Sequence, residues 1–278
     1  MSPFLDQTLS NSLSPHAIKK HLRTRWLGQR EVCCFDVVES TNTEANRLAH
    51  EDAPEGTLIV ANAQTKGRGR LGRSWASPPG SGLYLSIILR PDCPPNRFPR
   101  LTLTAGVAVA SAIQQTGVKP QLKWPNDILI ADRKVGGILA EAVFDRRRID
   151  FAILGIGINV NTERDEFPVS VRSLATSLRL SLGKPVSRIY LLQTLLHLLE
   201  PWYESFCAGA FETILDAWCE FDNTLGRVVD VFLPERRLVG MAEALEPDGT
   251  LLVRDKRGCV HRIIAGDVVH CRLENREP

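Results

Sequence analysis

The sequence predicts an α+β fold in two domains, the second a small all-β unit. Three observations carry that expectation. Between residues 31 and 161, apolar runs of strand length recur with only two helix-length segments among them. Residues 186–206 and 211–221 then repeat leucines and aromatics at helical spacing. After residue 225 the period changes, and five short β-rich segments alternate with turns. At 278 residues, 44% hydrophobic and 24% charged, the chain can bury a large core and has an ordinary globular composition.

Taken in order, residues 1–30 form a basic leader, with Lys19, Lys20, Arg23, Arg25 and Arg30 against one acid, Asp6. Ser14 before Pro15 predicts a helix over 15–26. One short helix is too little for a helix-turn-helix domain, so no specific nucleic-acid partner is predicted. Residues 31–38 read as a strand. Thr41 and Glu44 have capping-box spacing, which predicts a helix running to about His50. Ser40, Thr41 and Asn42 then sit at a helix N-terminus, where hydroxyl, amide and free N–H groups can bond a polar ligand. Strands are predicted at 57–63 and 83–89. A proline-rich connection over 91–99 leads to an apolar helix at 101–115 that closes near Gly117. Three strands follow: 122–127, one opening at Lys134 after the Asp132-Arg133 turn, and 151–161. Gly136, Gly137, Gly155 and Gly157 inside them signal close approach of a ligand or another backbone. The last unit, from about residue 225, carries strands at 228–233, 238–245, 250–254, 259–264 and 268–273.

The most informative stretch is 64–75, where glycine alternates with arginine. Lys66, Arg68, Arg70 and Arg73 sit there, and no acidic residue occurs from 56 to 91, although the whole chain is only +2. Glycines let a backbone approach an anion closely, and arginine offers a planar fork of donors matched to carboxylate and phosphate. Gly67, Gly69 and Gly72 satisfy the dinucleotide fingerprint, and Gly67 to Ser74 nearly satisfies the P-loop. Both motifs need a helix to begin at the last glycine. Pro78, Pro79, Gly80 and Gly82 forbid one of useful length. The stretch is therefore expected to be a long mobile loop between strands, its cations without internal partners, built to close on an anion.

Other classes are disfavoured. The seven cysteines (33, 34, 93, 207, 219, 259 and 271) are odd in number and contain no C-x-x-C pair, so neither a disulfide framework nor a zinc site is expected. The six histidines lack metal-ligand spacing, and no protein metal site is predicted. No secretory signal or spanning segment is visible, which predicts a cytoplasmic protein without a membrane partner.

Five motifs, in order, carry a family resemblance: Ser40-Thr41-Asn42, Gly67 to Arg73, Lys123-Trp124-Pro125-Asn126-Asp127, Arg133 to Glu141, and Gly155 to Asn161. Together they resemble biotin protein ligase (biotin–[acetyl-CoA-carboxylase] ligase), of the monofunctional type without an N-terminal DNA-binding domain. The resemblance runs over about 31–273. It implies that 31–224 is a biotin- and ATP-binding catalytic domain with the class II aminoacyl-tRNA synthetase-like fold shared with lipoate ligases, and that 225–278 is an SH3-like barrel. It implies activation of biotin with ATP and Mg²⁺ to biotinyl-5′-AMP, then transfer to a lysine of a biotin carboxyl carrier protein. Lys134, Arg68 and Arg70 become the catalytic set. Ser40, Thr41, Asn42, Gln64, Gly67, Arg68, Trp75, Lys134 and Gly137 become biotin contacts. Arg70, Arg73, Lys123, Asn126, Asp127 and Asn159 become ATP contacts, Asp127 and Asn159 on the Mg²⁺ side. Leu174 departs from the family pattern, so the adenine wall stays unassigned. A homodimer stays open as the assembly. A lipoate-protein ligase and a biotin-responsive DNA-binding repressor stay open as alternative functions.

Overall fold

The computed structural model describes residues 13–145, 148–233, 236–264 and 266–270. The first part of the leader, with Asp6, and the end of the last expected strand, with Cys271, lie outside the described residues. After a short helix α1 (Pro15–Lys19) come β1 (Val32–Val38), α2 (Thr41–His50), β2 (Leu58–Gln64), β3 (Gly82–Leu89) and α3 (Phe98–Gln114). Four strands follow, β4 (Gln121–Lys123), β5 (Asp127–Ile130), β6 (Arg133–Asp145) and β7 (Arg148–Asn159), then α4 (Leu178–Leu182), α5 (Arg188–Ala208) and α6 (Phe211–Cys219). The chain closes with β8 (Val228–Phe232), β9 (Arg237–Leu245), β10 (Leu251–Asp255), β11 (Val260–Ile263) and β12 (Asp267–His270).

The first seven strands form one sheet in the order β1-β2-β3-β7-β6-β5-β4. Only β1 and β2 run parallel; the other pairs are antiparallel. All eight residues of β3 are buried, which explains why its run is apolar apart from Ser86: helices cover both faces of the sheet. On one face α2 packs Ala45 and Ala49 against Ile59, Ile88, Phe151 and Ile153. On the other, α3 is wedged between the sheet and α5 and α6, and eleven of its residues are buried, including Val107, Val109 and Ile113. Each such Leu, Ile or Val is worth about 1.5–3 kcal/mol on burial.

Four expectations need correction. The helix at 15–26 stops at Lys19, because the backbone N–H groups of Arg25, Trp26 and Leu27 are drawn to the Glu200 carboxylate of α5 at 2.8–3.0 Å. Inside a helix they would be spent on carbonyls. The capping box does not form: Ser40 is the N-cap, Thr41 is already helical, and Glu44 pairs with Arg47. The strand expected at 122–127 is a hairpin. Lys123 pairs with Asp127 across a turn holding a cis Trp124–Pro125 bond. The apolar helix begins at Phe98 rather than 101, with Pro99 in its first turn, where a missing N–H costs nothing. Helix α4, capped by Ser177 and closed by Gly183 in the left-handed region, had no counterpart in the sequence reading.

Strands β8 to β12 form a second, antiparallel sheet in the order β11-β10-β9-β8-β12. The β4–β5 hairpin ties the two sheets together. Trp124, fully buried, donates from its indole to Gly249 O at 3.0 Å, and its backbone N–H donates to Thr224 Oγ1 at 2.9 Å. Leu122 N donates to Phe221 O at 2.7 Å, and Asn223 N returns a bond to Leu122 O at 2.9 Å. Among the described residues no helix is long and apolar enough to cross a membrane.

Candidate active site

A cavity of about 910 Å³ opens where the 64–75 segment, strands β5 to β7 and the edge of the second sheet meet. Every residue assigned from the sequence lines it except Gly67. Gly67 lies behind the wall, where an added Cβ would meet Ser77 Oγ at 2.8 Å and Gln64 Nε2 at 3.0 Å, as well as the Trp75 carbonyl.

The 64–75 segment is a small hairpin. Trp75 N donates to Gly67 O at 2.8 Å, Arg68 bridges Ser74, and Gly69 N donates to Arg73 O at 2.7 Å. Its tip is the turn Arg70–Gly72, in which Leu71 is left-handed (φ 55). The expected absence of partners for its cations is overturned. Lys66 Nζ binds Glu39 Oε1 at 2.8 Å, Arg68 Nη2 binds Glu141 Oε1, and Arg70 Nη1 donates to Asn126 Oδ1 at 3.1 Å. These partners come from β1's exit, β6 and the β4–β5 turn, so no local reading of the acid-free span could supply them.

One wall is cationic. Lys123 and Lys134 share the Asp127 carboxylate, Lys123 Nζ reaching Oδ2 at 3.0 Å and Lys134 Nζ reaching Oδ1. Burial would push the Asp127 carboxyl up, but the two ammonium groups outweigh it and hold the group below the usual carboxylate range. Lys134 Nζ also lies 5.5 Å from the centre of the Trp75 ring. Asn126 donates from Nδ2 to Ile138 O at 2.8 Å, which fixes its oxygen toward Arg70. Asn159 donates to Thr176 O at 3.1 Å, which leaves its oxygen free to accept. Arg73 also lines the cavity.

The floor is polar and tightly interlocked. Gln64 Oε1 accepts from Thr41 N at 2.8 Å and from Thr41 Oγ1 at 3.2 Å, while Gln64 Nε2 donates to Ser77 Oγ at 2.8 Å. Asn42 donates to Glu141 Oε2 at 2.8 Å and to Leu139 O at 3.3 Å. The buried Ser86 hydroxyl reaches Asn42 Oδ1 at 2.6 Å and Thr41 Oγ1 at 2.8 Å. Ser40 and Gly137 complete this lining.

Two strand glycines make room. Asn42 occupies the space that a Cβ on Gly155 would fill, and an added Cβ on Gly157 would meet Trp75 Nε1 at 2.7 Å. The Trp75 indole thus lies flat on the sheet, and its buried N–H has no protein partner among the described residues. Ser86, Ser77 and Glu141, which bond the lining residues Asn42, Thr41, Gln64 and Arg68 without lining the cavity themselves, were missed. Ser86 had a signal, being the one polar side chain in an otherwise apolar strand.

The second sheet contributes Arg227, Val228 and Met241 to the lining. Arg227 pairs with Asp132 at 3.2 Å, and Asn223 donates to the same Asp132 oxygen at 2.9 Å. Among the described residues there is no cluster of three His, Cys, Asp or Glu side chains that could hold a metal.

Residues 34–159 match the model of the Biotin/lipoate A/B protein ligase family. The bifunctional ligase/repressor BirA of Bacillus spizizenii is 38% identical over 257 residues, covering 92% of this chain and 78% of that protein. The biotin–[acetyl-CoA-carboxylase] ligase of Mycobacterium tuberculosis is 34% identical over 248 residues, covering 86% of this chain and 89% of that protein. Among solved structures, the biotin protein ligase from Aquifex aeolicus in complex with biotin and ATP superposes with a TM-score of 0.74 at 32% identity, over 87% of this chain and 99% of that one.

Proposed function

Since the chain belongs to the Biotin/lipoate A/B protein ligase family, and within it to the biotin protein ligases, we propose that it joins biotin to ATP as biotinyl-5′-AMP and passes the biotinyl group to a protein lysine. The observation that carries this reading is the meeting of cations from two elements on one cavity, Lys123 and Lys134 from the sheet and Arg68, Arg70 and Arg73 from the hairpin.

The first step needs that arrangement. A carboxylate oxygen attacks the α-phosphorus, and the bond to pyrophosphate breaks. Two anions must therefore be brought together and the growing charge on the α-phosphoryl group met by fixed donors. Lys134 is the cation for both the biotin carboxylate and the α-phosphate, with Asp127 aligning it. Lys123, Arg73, Asn126 and Asn159 take the nucleotide side. Arg68 and Arg70 cover the adenylate, a mixed anhydride that water and stray amines attack. Ser40, Thr41, Asn42, Gln64 and the backbone near Gly67 and Gly137 form the biotin end, and the Trp75 indole is a donor still to be used. In the second step the acceptor amine attacks the acyl carbon, AMP leaves and an amide forms. Mg²⁺ belongs to this reading as the ATP complex, since it prefers phosphate and water oxygens with one or two protein ligands. Asp127 and Asn159 are the residues that this reading assigns to that side. The acceptor is the carrier domain of a biotin-dependent carboxylase.

Incubation with ATP, Mg²⁺, biotin and such a carrier domain should add one biotinyl group to the acceptor by intact mass, and excess lipoate should not displace it. No added mass, or equal competition by lipoate, would overturn the proposal.

A further inference from the structure

We infer that Glu141 on β6 is a positioning residue for the reaction proposed above, one that fixes Arg68 and with it the hairpin in the geometry that retains the acyl-adenylate. The inference rests on that reading for its consequence, although the contact itself is a property of the fold. Glu141 does not line the cavity, and Arg68 does. The carboxylate divides its two oxygens, Oε1 to Arg68 Nη2 and Oε2 to Asn42 Nδ2 at 2.8 Å.

Asn42 is itself immobile. Its oxygen accepts from buried Ser86 at 2.6 Å, its amide nitrogen also reaches Leu139 O at 3.3 Å, and it fills the seat left by Gly155. Glu141 is thus held from the floor and presents one oxygen in a fixed place to the rim. A guanidinium has five N–H donors, and this contact spends one, so the others stay available to a ligand anion. Ordering an arginine side chain costs rotamer entropy. Glu141 removes much of that cost before the ligand arrives, which is preorganisation.

The same pair contributes little to stability. The Arg68 and Glu141 side chains are 43% and 37% exposed, a setting in which water screens most of an ion pair's attraction. Loss of the charge at 141 should therefore leave the fold intact, and Asn42 would keep an acceptor in Glu141→Gln. The effect on the hairpin is separable from any effect on folding.

The test compares wild type, Glu141→Gln, Arg68→Ala and the double variant in two measurements. In ligand-free protein, limited trypsin cleavage after Arg70 or Arg73 should quicken about fivefold in Glu141→Gln, at an unchanged melting temperature. Equal cleavage of wild type and variant overturns the inference. In the second measurement, preformed adenylate should dissociate about tenfold faster from Glu141→Gln while its formation stays within about threefold of wild type. The substitution should add less than twofold in the Arg68→Ala background. An undiminished tenfold there would mean that Glu141 does not act through Arg68, and would also overturn it. A wild-type chain that forms no adenylate sinks the ligase reading instead, and the cleavage measurement still decides on Glu141.

Discussion

Lys123 on β4 and Lys134 on β6 flank β5 and share the carboxylate of Asp127, with Lys123 17%, Asp127 14% and Lys134 36% exposed. Arg68 and Arg70 stand on a protruding hairpin and take partners from separate elements, with Arg68 43% exposed. The two sets carry the same sign of charge to the same cavity. They differ less in exposure, since Lys134 is nearly as open as Arg68, than in how firmly the backbone and a shared buried carboxylate hold them. Charges fixed on a regular sheet around a buried carboxylate keep their position, which suits them to the moment of bond making. Charges on an exposed hairpin can be regrouped around a bound anion, which suits them to covering it.

Substitutions should split along that line. The largest effect is expected at the sheet: Lys134→Ala should lower adenylate formation by about 10²–10³ with the fold retained, read from single-turnover pyrophosphate release and far-UV circular dichroism. Release near the wild-type rate would remove Lys134 from the chemistry. A smaller effect belongs to the hairpin. Arg68→Gly should still form the adenylate but lose it about tenfold faster, a difference on the order of 1.4 kcal/mol, and should label bystander proteins without selectivity. If formation collapses together with retention, the division between wall and cover fails.

The smallest effect concerns stability rather than turnover, and compares Asp127 with a carboxylate outside the cavity. Burial pushes Glu200 up, but the N–H groups of Arg25, Leu27 and Trp26 outweigh it and hold the carboxyl below its ordinary range. A carboxyl lowered in the folded state gives stability that is complete above its unfolded value, roughly pH 4–5, and is lost as pH falls through the folded value. Glu200→Gln should therefore be destabilised at pH 7, by about 2 kcal/mol for charged hydrogen bonds of this kind, and the deficit should be smaller at about pH 3. Urea midpoints at the two values would show it; a deficit independent of pH would place the loss in packing instead.

Much of this fold was legible because its strands are apolar runs bounded by turn residues, as in β2, β3 and β7. What escaped reading depends on partners far along the chain. Helix α1 fell short because Glu200 claims amides that local propensity would give to a helix. The capping box was forestalled because Gln64, from the next strand, takes both Thr41 donors. Trp124 and Trp75, both flanked by motif residues, separate only in three dimensions. One bonds Gly249 in the second sheet, and the other lies over Gly157 in the cavity. The hairpin's cations looked unpaired because Glu39 and Glu141 lie on opposite sides of it in sequence.

The Trp124 staple also governs how the protein comes apart. Its indole bond to Gly249, the paired backbone bonds of Leu122 with residues 221 and 223, and the Asp132 contacts all leave the same β4–β5–β6 region that bears Lys123, Asp127 and Lys134. The second sheet cannot detach without loosening the strands that aim those charges. The two sheets are therefore expected to melt as one cooperative unit, with free energy gained when a ligand tightens the cavity shared by strands that never touch it.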